Sequence, residues 1–118
     1  MAKEYLEKLA KLVDRLNIDK ETESSGMEVK HLFSGAALYV NKTICASWSP
    51  VGLAFKLPEK EVDKLISNGK AKPLRYFPKG HIKKGYALFE SPESSKPSRW
   101  KAYFVRAIEY SVEQAHNN

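Results

Sequence analysis

"ALYVNKTICASWSPVGLAFKL", residues 37–57, alternates its side chains with a period of two. Leu38 and Val40 share one face of an extended segment. Ile44, Ala46 and Trp48 share one face of the next, with Cys45 opposite them, and Leu53, Phe55 and Leu57 alternate with Ala54 and Lys56 along a third. β-Branched and aromatic residues, which suit a pleated and half-buried surface, dominate these runs. Asn41-Lys42 reads as a hairpin turn and Ser49-Pro50-Val51-Gly52 as a second, because proline presets φ and glycine accepts positive φ. Links this short force neighbouring strands to run antiparallel, since a parallel pair needs a crossover of a dozen or more residues. Residues 28–57 are therefore expected to form a meander.

Outward from the meander the period changes. Tyr5, Leu6, Leu9, Leu12, Val13 and Leu16 recur every three or four residues, which predicts an amphipathic helix over 2–17. "NIDKETESSG" carries no periodic apolar face and reads as a connection. "PEKEVDKLISNG" reads as a short helix, with Pro58 at its first position, acids in its first turn and a stop at Asn68-Gly69. Leu74 and Tyr76, then Tyr86 to Phe89, predict two further strands around the Pro78-Lys79-Gly80 break. Trp100, Tyr103, Phe104, Ala107, Ile108, Ser111 and Ala115 fall on one face of a second long helix over 97–115. No βαβα alternation appears. The order predicts an α+β domain: an antiparallel sheet of about five strands packed against N- and C-terminal amphipathic helices, with a short helix inserted between strands.

Length and composition narrow the class. The 118 residues fit one domain, 1–118, able to bury roughly two-thirds of the surface of its unfolded chain. At 42% hydrophobic and 29% charged residues, the composition argues against wholesale disorder. Cys45 is the single cysteine, which excludes an intrachain disulfide and favours a reducing, cytoplasmic setting. "MAKEYLEKLAKLVDRL" has no apolar core of a signal peptide, and no run approaches the ~20 apolar residues of a membrane span, so no membrane association is expected. Lys and Arg exceed Asp and Glu by 20 − 14 = 6, an excess that favours polyanions without naming one.

Few residues offer chemistry. His31, His81 and His116 lie far apart without metal-ligand spacing, so no metal or cofactor is expected. The glycines form no phosphate-binding motif. Cys45 adjoins no electropositive motif or helix N-terminus in sequence and reads as a packed thiol. A small enzyme or ligand-binding protein would have to draw on His31, Tyr39 and Cys45 near the first turn. The densest feature is basic: Lys70, Lys72, Arg75, Lys79, Lys83 and Lys84 interleave with Tyr76, Phe77 and Tyr86, with no acid between Gly69 and Gly85. Cations contact phosphates and aromatics stack bases, so this segment is a candidate nucleic-acid surface. With no RNP-like, helix-turn-helix or zinc-finger pattern beside the charge, it reads first as a hairpin whose lysines keep a sheet edge soluble.

Phe33, Gly35 and Tyr39 in "HLFSGAALYV", Lys56, Leu57 and Pro58 in "FKLPEKE", and Lys84, Gly85 and Tyr86 in "KKGYALFE" occur in an order with a precedent. In this order, and in its flanking helices, nearly the whole chain resembles the TfoX N-terminal domain family, found at the front of the bacterial competence regulator TfoX and as stand-alone small proteins. Leu32, Ser34 and Ala37 depart from the pattern, which favours Met and two glycines there. The resemblance implies an α+β fold with an antiparallel sheet. It also implies a regulatory or interaction role rather than an enzymatic one, without carrying over the regulation of competence genes. The expected function is thus a non-enzymatic module with a protein partner, nucleic acid as the alternative partner, and a homodimer formed through strand edges as a further possibility.

Overall fold

Leu9, Leu12 and Val13 are buried along one stripe of the first helix, α1 (Ala2–Arg15), and Leu16 is buried just past its end, where Asn17 turns left-handed at φ 54°. The computed structural model describes residues 2–18, 26–75 and 80–116. After α1 come β1 (Met27–Leu32), β2 (Gly35–Val40), β3 (Thr43–Ser49), β4 (Gly52–Lys56), α2 (Glu59–Ser67), β5 (Lys72–Leu74) and β6 (Lys83–Phe89). Two short 3₁₀ turns, at Pro92–Ser94 and Pro97–Trp100, lead into α3 (Lys101–His116). The expected α+β architecture holds, with a six-stranded antiparallel sheet in the order β1-β2-β3-β4-β6-β5.

The sixth strand is β1. It opens the expected 28–57 meander at the sheet margin, with Met27 and Val29 half-buried in alternation with the exposed Glu28 and Lys30. Asn41 and Lys42 both take positive φ, at 50° and 69°, the two-residue turn expected between β2 and β3. Pro58 stands one position earlier than expected. It is the N-cap of α2, and its carbonyl accepts from the N–H of Glu61 and Val62 at 2.9 and 3.1 Å. The last predicted helix likewise begins as a 3₁₀ turn and becomes α-helical only at Lys101.

One face of the sheet carries the main core. Phe55 from β4 meets Phe104 edge-on at 4.9 Å and stacks on Tyr103 at 5.5 Å, while Phe89 from β6 lies 5.0 Å from Trp100. Leu38, Val40, Ala46, Trp48, Leu53 and Ala87 join α1 and α3 in the same cluster. Ala54, Leu74, Tyr86 and Leu88 form a smaller cluster, with Ile44 and Val51 packed against it. Ala54 and Leu88 alternate with Phe55 and Phe89, which puts this cluster on the opposite face.

Alternation along β3 is broken by a bulge. Leu38 pairs with Ala46 but Tyr39 with Ile44, so Cys45 is the extra residue. Cys45 and Ala46 therefore both enter the main core, and Ile44 turns to the second cluster instead of sharing a face with Ala46 and Trp48. Gly35 is needed where β2 and β3 approach closely, because a Cβ there would lie 2.3 Å from the Trp48 carbonyl oxygen.

Candidate functional site

His31, Tyr39 and Cys45 do not share a face. Cys45 is fully buried, its Sγ donates to the Leu38 carbonyl at 3.4 Å, and burial pushes its thiol up to about 12. A thiol so protonated is a packing group rather than a nucleophile. Tyr39 carries the Lys30 ammonium 5.6 Å from its ring centroid, and its partner in β1 is Glu28. His31 is exposed and pairs with Ala36, so strand alternation sends it to the other face from Tyr39. None of the three lines a described cavity. Among the described residues, no group of three or more His, Cys, Asp or Glu comes together.

The basic segment is divided. Lys72 pairs with Leu88 and Leu74 with Lys83, so Lys72 and Lys83 stand at opposite ends of the β5–β6 pair. Lys72 Nζ reaches Glu90 at 2.7 Å. Lys83 and Lys84 border a cavity of about 290 Å³ whose wall also holds Glu59 and Asp63. Arg75 is exposed just beyond β5, and Lys79, like Tyr76 and Phe77, lies outside the described residues. Lys70 lines the cleft between the helices, and together with Lys72 it borders a second recess beside Arg99 and Trp100.

Two of the sequence motifs meet across strands. Lys56 pairs with Tyr86, and the Leu57 N–H donates to the Gly85 carbonyl at 3.0 Å, bringing Lys56-Leu57-Pro58 beside Lys84-Gly85-Tyr86. Gly85 takes φ +84° where the β5–β6 register breaks, a conformation that favours glycine. Phe33, Gly35 and Tyr39 sit in the β1–β2 hairpin, with β3 between them and that junction.

The cleft between α2 and α3 is the site that the fold assembles from distant parts of the chain. It encloses about 330 Å³. Leu57, leaving β4, is buried beneath it, and Leu65 and Tyr103, both half-buried, supply the rest of an apolar floor beside Ala102. Lys64, Lys70, Asn68, Glu61 and Arg106 stand around that floor. Glu61 and Arg106 tie the two helices together: Nε donates to both carboxylate oxygens at 3.2 Å, and a terminal nitrogen donates to Oε2 at 2.7 Å. The bonds to Glu61 raise the Arg106 guanidinium above its already high ordinary value. Lys70 is fixed by the end of α2. Gly69, at φ +73°, donates to the Ile66 carbonyl at 3.0 Å, and the Lys70 N–H donates to Leu65 at 2.9 Å, the hydrogen-bond pair of a Schellman motif.

Sequence reading placed Lys70 among the cations and Glu61 among helix N-terminal charges. It missed the cleft, whose two walls are separated by β5 and β6. The available signal was Tyr103 and Arg106, three residues apart on one flank of a helix whose aromatic stripe packs on the sheet. In comparisons with protein-family models and with curated proteins, nothing matches the chain.

Proposed function

We propose that the chain is a non-enzymatic interaction module, in keeping with its resemblance to the TfoX N-terminal domain, and that it takes an acidic, apolar segment of a protein partner into the α2–α3 cleft. The composition of the cleft carries this reading: an apolar floor lies under Lys64 and Lys70, while Glu61 is engaged by Arg106. Its volume of about 330 Å³ is suited to one large side chain and leaves the rest of such a segment at the cationic rim. The separation of His31, Tyr39 and Cys45 supports binding over catalysis.

Fluorescence anisotropy with two probes tests the reading: a labelled acidic peptide bearing one Phe or Trp, and a labelled single-stranded oligonucleotide. Lys64→Glu with Lys70→Glu is expected to weaken the peptide by about tenfold, and Ala102→Glu on the exposed face of α3 to act in the same direction. Lys83→Glu with Lys84→Glu should leave it unchanged. If the peptide ignores the cleft variants, the reading fails. If the oligonucleotide instead binds with a salt slope of about −0.7 per phosphate contact and loses affinity through Lys83 and Lys84, the alternative of a nucleic-acid-binding protein using residues 70–84 takes its place.

A further inference from the structure

The two margins of the sheet are built differently. β5 is three residues long and contains Pro73, which has no N–H, so it offers little to another strand. β1 is six residues long, and among the described residues no strand lies beyond it. The β1–β2 connection is two residues and pairs Leu32 with Gly35, a geometry that turns the backbone groups of Leu32, Lys30 and Glu28 toward β2. The N–H and C=O of Val29 and His31 then point outward. Val29 packs on the main core but remains only half-buried at this border.

We propose that β1 pairs antiparallel with β1 of a second copy of this chain, about a two-fold axis at Val29, so that Glu28 of each copy faces Lys30 of the other. Charge favours one register, since centring on His31 sets Lys30 against Leu32 and forms no ion pair. Only registers that set outward residues against outward residues are open to the ladder. Centring on residue 28 opposes two glutamates, and centring on residue 30 opposes two lysines. Centring on Val29 opposes Glu28 and Lys30 twice, and like charges directly across a pair are unfavourable. Within one copy Lys30 Nζ already lies 3.2 Å from Glu28, so pairing would build an alternating quartet of charges on one face. The two Val29 residues would meet on the other face and exchange both backbone hydrogen bonds, extending the edge of the core. The interface is isologous, as closed two-fold symmetry requires.

Sedimentation over a concentration series tests this with the full chain, folding of each variant being checked by circular dichroism. The wild type should dimerise. Lys30→Glu, which sets Glu28 against a new carboxylate twice, should weaken the dimer by about tenfold or more. Val29→Pro removes the outward N–H without touching the β2 ladder and should leave a folded monomer. The exchange Glu28→Lys with Lys30→Glu restores opposite charges and should restore the dimer. A wild type that stays monomeric at the highest concentration, a dimer that survives Val29→Pro, or a charge exchange that fails to rescue would each overturn the proposal.

Discussion

The helix side of the sheet and the β5–β6 margin solve opposite problems with similar residues. On the helix side, α2 and α3 bring Lys64, Lys70 and Arg106 around one apolar floor, though they are scattered in sequence. At the margin, Lys72, Arg75, Lys83 and Lys84 are close in sequence, yet the strand pair carries Lys72 and Lys83 to opposite ends and acids adjoin them. Density along the chain is therefore a poor guide to convergence in space. What brings charges together here is the packing of two helices on a shared core.

If that contrast is right, the floor of the cleft is structural and the margin is not. Leu57→Ala, at a residue only 2% exposed, should cost about 2–4 kcal/mol in urea denaturation, because it opens a cavity between β4 and the helices. Ile82→Ala, at a residue 46% exposed beside β6, should stay within about 0.5 kcal/mol. Equal costs would erase the distinction.

Titration sharpens it next. Cys45 lies in the main core, and burial raises its thiol from an ordinary 9.0 to about 12. The folded chain thus holds this proton more tightly. Below about pH 9 the thiol is neutral in both states, and between about pH 9 and 12 the unfolded chain releases the proton first, so stability falls as pH rises. Denaturation midpoints of the wild type should fall more steeply over that window than those of Cys45→Ala. Parallel slopes would place the thiol outside the dry core.

Smaller effects probe the tie between the helices. Glu61 and Arg106 are 43% and 38% exposed, so solvent screening limits even their two-point geometry, and a double-mutant cycle with Glu61→Gln and Arg106→Gln should give a coupling of about 0.5–1 kcal/mol. The pair Lys72 and Glu90, more exposed at the margin, should give less in the same cycle. At the low end, Ser111 on α3 buries a hydroxyl oxygen that has no hydrogen-bond partner among the described residues. Ser111→Ala should raise stability by about 0.5–1 kcal/mol, since it removes an unpaired polar atom and improves helix propensity.

Local regularities were readable in the sequence. The stripe from Leu9 to Leu16, the Asn41-Lys42 turn and the Asn68-Gly69 stop each follow from a rule that acts within a few residues. The failures come where a partner strand or helix decides. Period two sets Cys45 opposite Ala46, but the register against β2 inserts it as a bulge. β1 was legible too, since Met27 and Val29 alternate with Glu28 and Lys30, but its place at the margin is fixed only by pairing with β2. The ion pair of Glu61 with Arg106 joins helices on either side of β5 and β6 and has no local signature.

The most direct measurement is an amide chemical-shift map of the full chain titrated with the acidic peptide. The cleft predicts the largest shifts at Leu57, Leu65, Lys70, Ala102 and Tyr103, abolished by Ala102→Glu. Shifts confined to Lys72–Arg75 and Lys83–Lys84, or no shift at the cleft amides at millimolar peptide, would contradict it.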